Sequence, residues 1–375
     1  MKTLCVLGIM SGTSIDSVDY ALCAIAGDQV KLKRFWQINF PARLQSRLHQ
    51  AARGESSSHE LAQLHHDLGR FYTGGAKRVL GGHRPDLVGM HGQTIFHHPN
   101  RKAPATFQLG EPAYLVEALQ SPVVSNFRAA DMATGGEGAP LATAFHRVVF
   151  GRRGRHICVN NLGGISNVTS LDWRDQGAVR IMAFDTGPAN VLIDLAMRHF
   201  TKGAKHFDRN GASARRGVPS EKLLASWLEH PYFAKRPPKS TGRELFGESF
   251  LQKALQQCKR ARLSKFDVVA TFTELTARSL ALNYRLHLPA WPDRLILTGG
   301  GAANPVLAQG IWNQLLPFNR KVQMHTSDQL GWPLQSIEPA AFALLAYWRW
   351  MGKPGNVPTT TGARRPVLLG QVSEP

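Results

Sequence analysis

A chain of 375 residues with 43% hydrophobic and 19% charged side chains can bury a core and suits about two or three domains, which excludes a disordered, collagen-like or disulfide-stapled protein. The formal charge is +19, but Arg152-Arg153-Arg155, Arg215-Arg216, Lys235-Arg236-Lys239 and Lys259-Arg260-Arg262 are dispersed and not interleaved with aromatics, so solvated faces are expected and no nucleic acid. Cys5, Cys23, Cys158 and Cys258 form no CxxC pair and fit a reducing cytoplasm, and no apolar run approaches the ~20 residues of a membrane helix.

The segment Leu4–Met10 follows Met1-Lys2 without a signal-peptide cleavage site and reads as a buried strand. Val18–Ile25 returns beside it, making a hairpin around Ser11–Ser17. Leu61–Leu80 reads as a helix, with Leu61, Leu64, Leu68 and Phe71 at helical spacing. Asp86–Met90 is a short strand that feeds His91-Gly92-Gln93-Thr94. Thr106–Leu109 is another, followed by a helix from Glu111-Pro112 to Leu119, where proline suits the first turn. Val123–Ser125 precedes a glycine-rich loop, Asn126 to Pro140, near which a domain boundary is expected.

The same grammar then restarts. Ile157–Asn160 is a strand, Gly163-Gly164 a turn, Ile165–Leu171 a strand, and Arg180–Phe184 a third that ends at Asp185-Thr186-Gly187-Pro188 before a helix, Asn190–Phe200. This repetition predicts an α/β protein with a duplicated fold. Residues 201–247 are rich in Gly, Pro, Ser, Lys and Arg and read as an irregular, substrate-facing insertion or a linker. Leu251–Arg260 and Val268–Arg285 are helices, Arg294–Leu297 is a strand entering Thr298-Gly299-Gly300-Gly301, and Glu338–Trp350 is a strongly apolar helix.

Three loops carry candidate chemistry. In the first, Gly12, Thr13, Ser14, Ile15, Asp16, Ser17, Val18 and Asp19, small residues let backbone N–H groups and hydroxyls approach a phosphate. A carboxylate there would repel phosphate without a cation, so Asp16 implies Mg2+ held through water; the alternative is a plain hairpin turn. The second loop sets Asp185 at the carboxyl end of a strand, where open α/β folds bind ligands, or else merely caps the following helix. In the third, Gly299, Gly300 and Gly301 suggest close approach of a flat ligand such as a nucleoside, with Asn304 as a cap in the alternative reading.

The order of these loops resembles the actin/hexokinase/Hsp70-like ATPases. The longer motifs resemble one family nearly end to end, the anhydro-N-acetylmuramic acid kinases. They are Gly8–Ser14, His91–Thr94, Asn126-Phe127-Arg128 with Asp131-Met132-Ala133, Gly138–Leu141, Asn161–Ile165, Phe184–Pro188, Pro237–Glu244, Gly299–Gly301, Ala341-Phe342-Ala343 and Thr361-Gly362-Ala363. Ser17, Asn126, Glu137, Ala189 and Gln335 depart from the family pattern, which touches fine substrate geometry more than reaction class.

The resemblance implies a two-lobed, ribonuclease H-like duplicated α/β fold with an ATP cleft between the lobes, here 1–130 with 338–375 and 131–337. It implies a cytoplasmic kinase of cell-wall recycling that uses ATP and Mg2+. Such an enzyme opens 1,6-anhydro-N-acetylmuramic acid with water and phosphorylates the freed O6. Asp185 is the expected base for that water. Glu338, at the start of the last helix, is a second acid in the family's pattern, with interaction with the helix N-terminus as its alternative. His91, Gln93, Gln108, Arg128 and Asp131 are expected sugar contacts; Arg128 suits a lactyl carboxylate or an ion pair with Asp131. The alternatives are another small-molecule kinase or phosphatase of this fold, or a basic nucleic-acid-binding protein on an inactive ATPase fold. A homodimer is left open.

Overall fold

The run Leu4–Ser11 is apolar on both sides of its pleat and becomes strand β1, buried from Val6 onward in the middle of a sheet. The computed structural model describes residues 2–99, 103–175, 177 and 179–375. The chain divides into two units, Met1–Val149 with Gln335–Pro375, and Phe150–Leu334. In the first, β2 (Ser17–Ala26) pairs antiparallel with β1, and β3 (Gln29–Asn39) antiparallel with β2. On the other side, β4 (Leu87–His98) runs parallel to β1; β5 (Ala105–Leu109) folds back on it, and β6 (Val123–Ser125) runs parallel to it. The C-terminal strand Gln371–Ser373 closes that edge, antiparallel to β6.

Two helices explain how this sheet is covered. Ser58–Leu80 starts where the Ser57 hydroxyl accepts the Glu60 N–H and ends at Gly81 in the left-handed region (φ 56°). Its buried stripe of Leu64, Leu68, Tyr72, Ala76 and Leu80 joins Leu7, Ile9, Val18 and Tyr20 in one core. The helix Ile337–Trp350 buries eleven of its 14 residues, so it has almost no solvent face. It lies hard against the sheet because two strand residues lack side chains. A Cβ on Gly8 would meet the Pro339 carbonyl oxygen at 1.8 Å, and one on Gly89 the Phe342 oxygen at 2.3 Å.

The second unit repeats the plan. β7 (His156–Leu162), β8 (Ile165–Asp172) and β9 (Arg180–Pro188) form an antiparallel meander, while β10 (Arg294–Thr298) runs parallel to β7 and β11 (Gln323–Thr326) parallel to β10. The order β11-β10-β7-β8-β9 thus copies β6-β4-β1-β2-β3 in sequence and direction. This is the duplicated, ribonuclease H-like pattern expected from the resemblance. The helix Lys265–His287 opens with a reciprocal cap, Ser264 and Asp267 each accepting from the other's backbone N–H, and packs beside β9.

Several expectations are corrected. The expected break near 130 falls inside the first unit, because Asp131 is tied to Asn356 and Thr361, far along the chain. β4 does not stop at Met90 but carries His91–Thr94 as strand through an irregularity in its pairing. β9 likewise runs on through Asp185–Pro188. Residues 201–247 contain the helix Glu221–Leu228, and strand β3 and the helices Ala42–Ala52, Thr143–Phe150 and Pro305–Leu315 join the expected elements. Among the described residues no helix is long and apolar enough to cross a membrane.

Candidate active-site residues

In the first unit, β1 delivers Ser11, whose hydroxyl hydrogen-bonds the Tyr72 hydroxyl at 2.9 Å, directly into Gly12. The Gln93 amide donates to the Gly12 carbonyl at 3.1 Å, fixing the loop from behind, while its own buried carboxamide oxygen has no hydrogen-bond partner among the described residues. Ile15 sits at φ 59°, a strained conformation for a β-branched residue, yet its side chain is buried in the core. Gln45 steadies that turn by donating to the Ile15 carbonyl at 2.8 Å. Thr13, Ser14 and Asp16 stand exposed, and a Cβ on Gly12 would meet nothing among the described residues nearer than Ser14 Oγ at 3.9 Å. Hydroxyls and one carboxylate therefore face outward, a donor set that suits a phosphate and a hydrated Mg2+. Ile15 and Val18 are corrected: their side chains anchor the loop in the core, leaving only their backbone for a ligand.

The same unit gathers Asp19, Glu338, Arg128 and His91. His91 is only 3% exposed; its Nδ1–H donates to the Gly92 carbonyl at 2.8 Å, so Nε2 accepts from Arg128 Nε at 3.0 Å. Burial, then the Arg128 charge, hold this imidazole far below its ordinary pKa, and its neutral ring lies tilted by 36° against Phe342 with centroids 4.5 Å apart. Arg128 also donates to the Gly138 carbonyl at 2.7 Å, and burial lowers its pKa to about 10. Glu338 is raised by burial, opposed by Arg128. Asp19 is raised to about 6, mainly by burial, with Gln37 donating to it at 2.6 Å and Glu338 adding repulsion. Gln108 donates to the hydroxyls of Thr106 and Thr94.

Asp131 is a correction. It is 0% exposed, and its oxygens accept from Gly138 N–H, Asn356 Nδ2 and the Thr361 hydroxyl, which leaves it a structural fastener and no sugar contact. The ion pair once open to Arg128 goes instead to a hydrogen bond with His91.

In the second unit, Asp185 is held from one segment. The Tyr232 hydroxyl donates to its carbonyl at 2.7 Å, its N–H donates to the Lys239 carbonyl at 3.1 Å, and Thr241 N–H donates to its Oδ2 at 2.9 Å. Below it, the buried Thr186 hydroxyl donates to Ser166 Oγ at 2.6 Å and Asn283 donates to the Thr186 carbonyl. The helix Asn190–Phe200 has Ala189, not Asp185, at its N-cap, so the capping alternative does not apply to Asp185. It does apply to Asn304, whose side chain accepts from Val306 and Leu307 N–H at the start of Pro305–Leu315. A Cβ on Gly299 would strike Asn161 Oδ1 at 2.2 Å and one on Gly301 would strike Leu162, whereas Gly300 faces open space. Two of the three glycines are thus demanded by packing and one is left for a ligand.

Tyr232, Lys239 and Thr241 were not picked out singly from the sequence. Lys239 and Thr241 lie in the Pro237–Glu244 motif, whose letters show no partner, and Tyr232 lies outside it.

The model of the family described as anhydro-N-acetylmuramic acid kinase matches residues 4–375. A relative called anhydro-N-acetylmuramic acid kinase from Cyanothece sp. is 40% identical, over 98% of this chain and 98% of its own. One of the same name from Microcystis aeruginosa is 40% identical, over 98% of this chain and 99% of its own. Among solved structures, a ROK family glucokinase from Streptomyces griseus in complex with glucose and AMPPNP is a loose likeness, with 14% identity, a TM-score of 0.40 and coverage of 92% of this chain and 99% of that one.

Proposed function

The chain belongs to the anhydro-N-acetylmuramic acid kinase family, and on that premise we propose that it uses ATP and Mg2+ in the cytoplasm to open 1,6-anhydro-N-acetylmuramic acid with water and phosphorylate O6. The observation that carries the proposal is Asp185, fixed among the last residues of β9 by three hydrogen bonds with one segment and not used as a helix cap. Asp185 takes the proton from water as that water attacks C1. As the C1–O6 bond breaks, negative charge grows on O6, and transfer of the phosphoryl group to it spares a free alkoxide. Base catalysis of this kind contributes ~10²–10⁴-fold; the rest comes from positioning and charge neutralisation.

Glu338 is the second acid, its pKa raised by burial and held back by Arg128. Arg128, oriented by His91, offers its remaining guanidinium N–H groups to the lactyl carboxylate of the sugar. Thr13 and Ser14 hydroxyls bind phosphate, and Asp16 would hold Mg2+ through water; the bound ion would neutralise phosphate charge. Gly300 lies against the nucleoside. Four free cysteines support the reducing compartment.

The test is direct. Incubation with the anhydro sugar and Mg-ATP should yield a sugar phosphate, and Asp185→Asn should still bind both substrates while turnover falls by ~10²–10⁴-fold or more. Turnover near wild type in a folded Asp185→Asn enzyme would remove Asp185 from the role and transfer it to Glu338.

A further inference from the structure

The segment that grips Asp185 is itself closed by one buried cation. Lys239 is 4% exposed, and its Nζ donates to the carbonyls of Tyr232 at 3.2 Å and Phe233 at 3.1 Å, with His287 Nε2 at 3.3 Å. The ammonium also stands 4.8 Å from the Tyr232 ring centroid and 5.9 Å from that of Phe184, the neighbour of Asp185. An ammonium carries three N–H donors on one atom, so it can serve two carbonyls and an imidazole nitrogen together. The side chain therefore folds residue 239 back onto 232–233. That closure brings the Tyr232 hydroxyl, the Lys239 carbonyl and Thr241 N–H to bear on Asp185 at once.

We propose that Lys239 is a positioning residue for catalysis: by closing the 232–241 segment on itself it sets the two hydrogen bonds that fix the Asp185 backbone and the Thr241 N–H bond that orients its carboxylate. The inference rests on the reading of Asp185 as the base. The buried charge has a second effect. Burial lowers Lys239 to about 8, with Lys235 adding to the fall and Asp185 opposing it. The interaction is reciprocal, so the ammonium favours the ionised carboxylate. The other titratable groups around the pair are Tyr232, Lys235, Arg236, Glu244 and His287. His287 is held down by burial and then by Lys239, and its Nε2 lies 3.3 Å from both Lys239 Nζ and the Phe233 carbonyl oxygen.

The test compares Lys239→Met, Lys239→Gln and Lys239→Arg with wild type and Asp185→Asn, reading kcat and KM against pH beside thermal melts. Gln retains a donor for a carbonyl, so it keeps the test open if Met does not fold. The folded neutral variants should lose ~10–100-fold in kcat with KM for ATP little changed, since misplacement of a catalytic group acts on turnover. The acid limb of kcat should also move to higher pH, because a neighbouring positive charge no longer favours ionised Asp185. Lys239→Arg should return the limb to its wild-type position. Folded neutral variants with wild-type kcat and an unmoved acid limb would overturn the inference, as would a loss that merely follows the unfolded fraction. Failure of the base reading is distinct: there Asp185→Asn itself keeps turnover.

Discussion

Replacing Asp131 with alanine removes the acceptor of three donors at once: Gly138 N–H at 2.8 Å, Asn356 Nδ2 at 2.8 Å and the Thr361 hydroxyl at 2.7 Å. All three donors belong to buried residues. A buried donor left unpaired costs about 1–3 kcal/mol, and rotation of the Thr361 hydroxyl relieves one of them, so the total is about 4 kcal/mol. At roughly 2–4 °C per kcal/mol for a unit of this size, the melting temperature should fall by about 8–16 °C. Asp131→Asn recovers only part, because its amide nitrogen must face another donor. The assay pairs thermal melts followed by circular dichroism with initial rates at low temperature across sugar concentrations. The expected result is early melting with the sugar KM of the folded enzyme within about twofold of wild type. An Asp131→Ala enzyme that melts with wild type and raises only the sugar KM would refute the reasoning and return Asp131 to the substrate.

Asp19, raised to about 6 from an ordinary 3.8, is bound more tightly to its proton when folded; the stability it contributes is present below the ordinary value and lost as pH climbs through about 6. Asp19→Asn, which keeps an acceptor for Gln37, should therefore stabilise the enzyme by roughly 3 kcal/mol above that pH and by nothing near pH 3, as measured by urea melts at both. Equal gains at both pH values would contradict the assignment. Gly8→Ala should cost about 3 kcal/mol or more, since its Cβ meets the Pro339 carbonyl, while Gly74→Ala, on an exposed helical position with nothing near it, should add about 1 kcal/mol. Matching melts for the two variants would show that the Ile337–Trp350 helix is not seated on Gly8.

The amino-acid sequence by itself determined the elements that have a period and a core to face. The apolar run of β1, the helical stripe of Ser58–Leu80 and the nearly unbroken apolar Ile337–Trp350 are each legible because local patterning and burial agree. The duplication showed in the recurrence of strand, hairpin and glycine loop, and it reappears as two sheets of one strand order. Strand β3 stayed hidden because its residues, Gln29–Asn39, lie largely half-buried or exposed at a sheet edge, where no apolar face is required. β11 is only four residues, too short to show a period. Glycines were legible as a class, but not which were needed for packing: Gly299 and Gly301 meet β7, and Gly300 does not. The tertiary structure alone decided the fate of the polar residues. Asp131 and Asn304 spend their oxygens inside the protein, His91 becomes a neutral prop for Arg128, and Asp185 escapes capping. The reason is sequence distance. The donors that reach Asp185 from Tyr232 and Thr241 lie 47 and 56 residues away, and no local pattern specifies a hydrogen bond that closes only when strand, helix and segment have packed together.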